Sequence, residues 1–226
     1  MTKLTHTQDS SQPAQKTRRG RNPEATRSEI LDAAEQEFAK QGFPAARAEA
    51  IAAQTGVTKS MIFYHFNNKE ALYEAVLERA TAGLIQVSQL KTEDLSPTAA
   101  LEKVTCELLQ RLADNPNLPV LLHLEAIQNR GKYYERIGML KVFNSLISIL
   151  QRGVASGEFR ALEPRQAAVN IVGACAFYFV VHENLKYLWP NRRMLSKKML
   201  DEHAQEAIDF IMVGVKSSLT SEPQTL

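Results

Sequence analysis

The amino-acid sequence predicts an all-α fold. Only 10 of the 226 residues are glycine and 9 are proline, so the sequence signals few turns. Residues that favour helix, such as alanine, leucine, glutamate and lysine, are plentiful. The alternation of valine, isoleucine and threonine that marks β-strands is hard to find. Hydrophobic residues make up 44% of the chain and charged residues 23%, which is typical of a soluble globular protein.

The first third of the chain predicts a polar tail followed by three helices. Residues 1–21 are rich in threonine, glutamine, serine and basic residues without periodicity, and we expect them to be disordered. The first helix should begin near Thr26, because Thr26 and Glu29 have the spacing of a capping box. It should end at Gly42 in a left-handed cap. The second and third helices are predicted over residues 46–54 and 59–66.

Six further helices are predicted in the rest of the chain. Asn68 and Ser96 are suited to cap the first two of them, and glycine and proline punctuate the others. The boundary between the two parts of the protein falls within the fourth helix, so we expect no flexible linker. The predicted spans are about 69–90, 97–113, 119–129, 133–155, 164–187 and 197–218.

The sequence also predicts a cytoplasmic protein without a membrane span. The first 28 residues lack the apolar core of a signal peptide. The most apolar run, residues 168–181, is shorter than the ~20 residues that cross a bilayer and contains Asn170. Cys106 and Cys175 lie in apolar helical patterns, and we interpret both as buried, reduced hydrophobic residues, with a redox sensor as the alternative.

The positive charge of the chain is concentrated at its start. Residues 1–70 contain ten Lys/Arg and eight Asp/Glu, whereas residues 71–226 contain seventeen of each. Residues 16–27 alone contain five basic residues and one acidic residue. Such a block is either a solvated tail or an arm that binds phosphate or the minor groove of DNA.

The second and third helices have the spacing of a helix-turn-helix, because they are short and meet at a glycine turn. Thr58 is a suitable N-cap for the third helix. Within that helix Ile62 and Phe66 are four residues apart and should face the core. At 100° per residue, Ser60 and Tyr64 then point outward.

The outward residues of the third helix have the chemistry of base and phosphate recognition. Lys59 can bind guanine or phosphate, Ser60 can hydrogen-bond to a base, and Met61 can pack on a thymine methyl group. Tyr64 and His65 can bind phosphates and fix the position of the helix on DNA. The alternative is a half-buried aromatic patch that only supports the core.

Residues 26–72 resemble the DNA-binding domain of the tetracycline-repressor (TetR) family of bacterial regulators. The motifs that carry the resemblance are Phe38, Gly42-Phe43, Ile51-Ala52, Gly56-Val57-Thr58-Lys59, Tyr64-His65-Phe66 and Lys69-Glu70. The resemblance implies an all-helical protein with an N-terminal reader and a variable C-terminal domain. The expected organisation is a basic arm over 1–21, a helix-turn-helix domain over 24–84 with its motif at 46–65, and a dimerisation and effector domain over 85–226.

Four positions depart from the family pattern. Ala46 and Arg47 stand where threonine and serine are usual, so the cap of the second helix is lost, which costs ~1 kcal/mol unless it is replaced. Arg47 could restore the phosphate contact. Phe63 replaces a tyrosine, and Ser60 replaces a glycine. The complete set of expected DNA contacts is Arg47, Thr58, Lys59, Ser60, Met61, Tyr64, His65 and Lys69.

The C-terminal part is expected to dimerise and to bind a small effector, as the resemblance implies. The last two predicted helices would form the interface with a second copy of the chain. The resemblance also implies that the effector is fairly apolar, and the scarcity of charge on the helical faces in this part is compatible with that. Polar and aromatic residues on these faces are the pocket candidates: His123, Tyr133, Tyr134, Phe143, Phe177, Tyr178 and His182.

An enzyme is disfavoured by the motifs of the sequence. The five histidines form no i, i+4 pair, the two cysteines form no CxxC, and no phosphate-binding loop or nucleophile elbow is present. We therefore expect no catalytic residues, cofactor or metal. A repressor of a palindromic operator is the main hypothesis, and a transcriptional activator or a ligand-independent architectural DNA-binding protein is the alternative.

Overall fold

A computed structural model describes residues 22–217 of the chain. Within this range the protein forms nine α-helices, and the only strand-like pairing is an isolated bridge between Phe159 and Lys216. The all-α prediction is therefore confirmed. The helices are α1 (Pro23–Ala45), α2 (Ala48–Thr55), α3 (Lys59–Phe66), α4 (Lys69–Val87), α5 (Pro97–Asp114), α6 (Asn117–Gln128), α7 (Met139–Ser156), α8 (Pro164–Leu185) and α9 (Lys197–Val215).

Both ends of α1 differ from the sequence prediction. The helix begins three residues earlier, because the side chain of Asn22 accepts a hydrogen bond from the Glu24 amide at 3.1 Å. Thr26 is buried inside the helix and is not its cap. Gly42 interrupts the helix with a φ of 74°, as a glycine stop requires, but its ψ of 165° is extended and not left-handed helical.

The largest error concerns α7, which was predicted over residues 133–155 and begins at Met139. Arg130, Gly131 and Gly138 all have positive φ, so the preceding segment forms turns. Helix α2 begins at Ala48, two residues later than predicted. Thr58, Asn68 and Ser96 cap their helices as predicted. The ends of α4, α6, α8 and α9 differ from the prediction by one to three residues.

The fold places a small N-terminal part, called the head, on a larger helical bundle. The head consists of α1–α3 and the first turns of α4, and its core includes Phe38, Ile51 and Ile62. Helix α4 continues from the head into the bundle, where it packs on α5 and α7. Helix α6 packs against α1, so the bundle also contacts the head directly.

The two cysteines lie in different environments. Cys175 on α8 is buried, and burial raises the pKa of its thiol to about 12. Cys106 on α5 is exposed, so the prediction that it is a buried hydrophobic residue is wrong. Cys106 lies on the exposed side of α5, because Val104, Thr105 and Leu108 form the side that faces the core.

Helix α8 is long and apolar enough, by length and composition, to cross a membrane, with a mean hydropathy of 1.3. In this fold it packs against α5, α6, α7 and α9. Only 28% of its apolar window is buried within the single chain. A large apolar area of α8 therefore remains uncovered.

Candidate nucleic-acid interface and internal cavity

Helix α3 has one face in the core of the head and one face in solvent. The buried side chains are Val57, Ile62 and Phe66, and the helical periodicity predicts this for Ile62 and Phe66. On the other side, Tyr64 is 82% exposed and Met61 43% exposed. Met61 and Tyr64 are three residues apart, so the two exposed side chains lie on the same side of the helix. We call the exposed residues Lys59, Ser60, Met61 and Tyr64 the reading surface.

The start of α3 is fixed by local hydrogen bonds. Gly56 adopts a φ of 67° and turns the chain after α2. The Thr58 hydroxyl oxygen accepts a hydrogen bond from the Met61 amide at 3.2 Å and lies 2.9 Å from the Ser60 hydroxyl. Thr58 therefore shapes the N-terminus of the helix, and Ser60 keeps a hydroxyl that is exposed to solvent.

Lys59 is paired with an acidic residue of α2. Its Nζ atom lies 2.6 Å from Oε1 of Glu49 and 5.9 Å from the centre of the Phe63 ring. The hydrogen bond from Lys59 lowers the pKa of the Glu49 carboxyl. Glu49 could not be identified from the sequence, because the two residues are ten positions apart and meet only when α2 and α3 are folded.

The N-cap residue of α2 is held by another helix and not by a hydroxyl cap. Ala46 has no hydroxyl and Arg47 makes no side-chain cap bond. Instead, the Arg47 amide donates to Oε1 of Glu37 on α1 at 3.1 Å. The Glu37 side chain is buried there, and a carboxylate near a helix N-terminus is stabilised by the helix dipole. The Arg47 side chain remains exposed.

His65 and Lys69 are less free than the sequence suggests. His65 is half-buried and contacts the Tyr64 ring edge-on at 5.5 Å. Lys69 Nζ donates to the carbonyl of Pro44 at 3.2 Å and lies 5.0 Å from the Phe43 ring centre. Lys69 therefore links the start of α4 to the end of α1. The expected basic arm, with Arg18, Arg19 and Arg21, lies outside the described residues.

A separate cavity of about 290 Å³ lies between α4, α5, α6, α7 and α8, and it opens to the surface where His123 and Phe177 are exposed. Its volume is at the lower end of the range for small-molecule sites. The lining is almost entirely apolar, with the ring of His123 and the phenol of Tyr134 as the polar groups, and burial raises the pKa of that phenol. The lining residues are Leu84, Leu108, Leu112, Pro119, Leu122, His123, Tyr134, Met139, Val142, Phe143, Val172, Gly173, Ala176, Phe177 and Val180.

The cavity brings together four of the seven pocket candidates, namely His123, Tyr134, Phe143 and Phe177. The other three lie elsewhere. Tyr133 is buried against Tyr73, at 5.5 Å between ring centres. The Tyr178 hydroxyl donates to the Met194 carbonyl at 2.7 Å, and its ring stacks on His203 at 4.3 Å.

The third of these, His182, makes a hydrogen bond of 2.8 Å between its Nδ1 atom and the Phe179 carbonyl. It is half-buried near the end of α8, next to Glu183. His182 therefore satisfies its ring nitrogen locally and does not line the cavity.

A buried polar cluster joins the cavity side of the bundle to the head. Glu125 on α6 is buried, and its Oε1 atom accepts from the Tyr133 amide at 2.8 Å, while Oε2 has no hydrogen-bond partner within residues 22–217. Burial, followed by the charge of Glu125, raises the pKa of Tyr73 on α4. The Tyr73 ring lies 4.9 Å from that of Phe38.

One turn further along α6, Gln128 packs against Gly42 so closely that a β-carbon at position 42 would collide with its amide. Leu122 and His123, in contrast, face the cavity from the same helix. Helix α6 therefore contacts the cavity through one part of its surface and the head through another.

The fold and the exposed α3 define a helix-turn-helix regulatory protein. Residues 30–76 match the family model for bacterial regulatory proteins of the tetR family, and residues 97–211 match the model for the tetracyclin repressor-like C-terminal domain. The second match alone covers half of the chain, so the chain belongs to the TetR family.

Curated relatives agree with this assignment. The chain is 30% identical over 172 residues to the transcriptional repressor NicS of Pseudomonas putida, a match that covers 71% of this chain and 78% of the relative. It is 31% identical to the transcriptional regulator RutR of Escherichia coli, with 71% and 77% covered. It is also 30% identical to the fatty acid metabolism regulator protein of Bacillus subtilis, with 64% and 77% covered.

Solved structures confirm the fold. The hemolysin II transcriptional regulator HlyIIR superposes with a TM-score of 0.68 at 22% identity, covering 87% of this chain and 100% of that one. The ketosteroid regulator KstR2 of Mycobacterium tuberculosis gives a TM-score of 0.65 at 18% identity, with 85% and 95% covered. The protein is thus a transcriptional regulator of the TetR family and not an enzyme, as predicted.

Proposed function

We propose that the protein is a cytoplasmic homodimeric repressor that binds a palindromic operator and is released by a small, fairly apolar effector. The observation that carries the proposal is the reading surface, which exposes a lysine, a hydroxyl group, a thioether and a phenol on the second helix of a helix-turn-helix. Such a helix reads base edges in the major groove with its N-terminal residues. Repressors are also present among the relatives.

The expected DNA contacts divide into two groups by chemistry. Lys59, Ser60 and Met61 stand at the start of α3 and would contact base edges. Arg47 at the start of α2 and Tyr64 would contact phosphates and set the position of the head on the duplex. Thr58 would act mainly by shaping the helix start, and His65 and Lys69 would add contacts at the edge of the surface.

The dimer is supported by the uncovered apolar surface of the last two helices. Val169 and Phe177 on α8 and Phe210 and Val213 on α9 are large apolar side chains that are all exposed. A second copy of the chain would cover them, and a membrane is not required. Two heads held one helical turn apart would then read both halves of a palindrome.

The effector proposal rests on the cavity and on α6. An apolar ligand would fit the lining, and the His123 ring and Tyr134 hydroxyl would orient it. The relative from Bacillus subtilis is described as a fatty acid metabolism regulator, and fatty acids are largely apolar. Because α6 touches both the cavity and the head, a ligand with different affinities for two positions of α6 would change the spacing of the heads.

The main test removes two side chains of the reading surface. Genomic fragments bound by the protein would first supply the operator. The double variant Lys59→Ala and Tyr64→Ala should then lose ~30-fold or more in operator affinity, because two contacts of ~1–3 kcal/mol each are removed. Sedimentation should still report a folded dimer. Unchanged operator binding would contradict the readout assignment, and a monomer at micromolar concentration would contradict the dimer.

The effector is tested on the purified dimer. Native mass spectrometry should detect a small molecule bound to the wild type, and Ala176→Trp, which fills the cavity, should lose it while keeping operator affinity. Retention of the molecule in the filled variant would place the effector site elsewhere.

A further inference from the structure

The pair formed by Lys59 and Glu49 stands on the reading surface itself. The two side chains are 52% and 63% exposed, and 2.6 Å separates Nζ from Oε1. The Lys59 ammonium also lies 5.9 Å from the centre of the Phe63 ring. In the free protein, the main cation of the reading surface is therefore turned back across the gap between α2 and α3.

The pair explains little of the stability of the head. An exposed ion pair is screened by water and salt and often contributes nothing measurable. A carboxylate is, moreover, an unfavourable group on a surface that meets phosphates. Glu49 is in the first turn of α2, and the first helix of a helix-turn-helix crosses the DNA backbone while the second enters the groove. The negative charge of Glu49 would thus lie close to the phosphates.

We propose that Glu49 is a specificity-determining residue that keeps Lys59 paired on random DNA and releases it only on the operator. On a random duplex, an exchange of Glu49 for a phosphate gains little, because one anion replaces another. On the operator, a base acceptor at the right position, together with the other contacts of α3, makes the exchange favourable. Glu49 thus weakens binding to other sequences more than it strengthens binding to the operator.

Pairing of Lys59 with Glu49 should be visible in the salt dependence of DNA binding. Each phosphate contact that a cation makes adds about 0.9 to the slope of log affinity against log salt concentration. In the wild type, Lys59 should contribute to non-specific binding only weakly. In Glu49→Gln the lysine is freed, so the slope on random DNA should steepen by about 0.9 per protomer.

The experiment measures dissociation constants over a salt series for four proteins: the wild type, Glu49→Gln, Lys59→Ala and the double variant. The probes are the operator fragment recovered from genomic selection and a random-sequence duplex of equal length. Glu49→Gln should bind random DNA about three- to tenfold more tightly, with a smaller gain on the operator. In the Lys59→Ala background the same substitution should leave the slope on random DNA unchanged.

Asp201→Asn is the matched control. Asp201 is paired with Lys197 on α9 at the same Nζ–Oδ2 distance of 2.6 Å, and both side chains are exposed. This pair is far along the chain from the reading surface, so its loss should leave both affinities and both slopes unchanged. A change equal to that of Glu49→Gln would mean that any lost acidic charge has this effect and would overturn the inference.

The inference rests on the proposed DNA contacts, and the four proteins separate the two failures. If Lys59→Ala weakens the operator complex but Glu49→Gln changes neither slope, the inference is wrong and the readout assignment stands. If Glu49→Gln strengthens both complexes equally, or acts without Lys59, Glu49 is not a discriminator that works through that lysine. If Lys59→Ala leaves operator binding unchanged, the readout assignment and the inference both fall.

Discussion

The reading surface and the cavity use their side chains in opposite ways. The reading surface comes from one helix of eight residues, and its side chains point into solvent. The cavity is lined from five helices between Leu84 and Val180. Side chains of the first kind contribute little to folding, so they can change with the operator. Side chains of the second kind also hold the bundle together, so a change in ligand and a change in stability are coupled.

The largest expected effect is on the cavity wall. Leu112 on α5 is buried and lines the cavity. Leu112→Ala should lower the free energy of unfolding by about 2–5 kcal/mol, because it removes buried methyl groups and enlarges an existing void. Urea denaturation at fixed protein concentration measures the change.

Two controls complete this comparison. Leu140 on α7 carries the same side chain in an exposed position, and Leu140→Ala should change stability by less than about 0.5 kcal/mol. Met61→Ala on the reading surface should also leave stability within that limit while it weakens operator binding. Equal losses for Leu112→Ala and Met61→Ala would remove the distinction between the two regions.

A smaller effect is expected at the cap of α2. Glu37→Ala should cost about 1 kcal/mol of stability, because the part-buried Arg47 amide loses its acceptor. A serine hydroxyl at position 47 would accept from amides in the first turn of α2 and not from its own amide, so the cost should stay the same when Arg47→Ser is present. Thermal unfolding of the four combinations gives the coupling. A cost that disappears in the Arg47→Ser background would mean that Glu37 and the hydroxyl do the same work.

The smallest effect concerns pH and the C-terminal helices. Burial lowers the pKa of His203. This effect outweighs that of the 3.1 Å hydrogen bond to the Cys175 carbonyl, which raises the pKa. The unfolded chain therefore takes up the proton first. The contribution of His203 should be complete above its unfolded pKa of about 6.5 and should decline as the pH falls below that value.

This dependence can be isolated with one substitution. Urea midpoints of the wild type and of His203→Gln, measured between about pH 8 and pH 5, should differ in slope, with the wild type losing more stability on acidification. Parallel curves would show that other groups carry the pH dependence.

Most of the head could be predicted from the sequence, because its determinants are local. The caps at Thr58 and Asn68 and the alternation of Ile62 and Tyr64 between core and solvent are set by residues within one or two helical turns. Glu37 and Glu49 were missed for the opposite reason. Each acts on a residue ten positions away, on another helix, and local periodicity contains no information on that pairing.

The bundle was harder to predict, and the errors have physical causes. The segment before α7 contains good helix formers, yet it forms turns, because the Tyr133 amide is held by the buried Glu125 carboxylate and Gly138 adopts positive φ. Tyr133 and Tyr178 were pocket candidates by composition, but each is committed to a different part of the core. Tertiary packing decides which aromatic side chains of a helix line a cavity.

The backbone conformation of Gly42 limits how this protein could be re-engineered. A chimera that joins a foreign head to this bundle would bring its own residue to position 42. The exposed amide end of Gln128 could move away from a β-carbon there, but only glycine adopts the φ of 74° at this position without strain. Exchange of heads between regulators of this family should therefore succeed with heads that carry glycine at the position of Gly42.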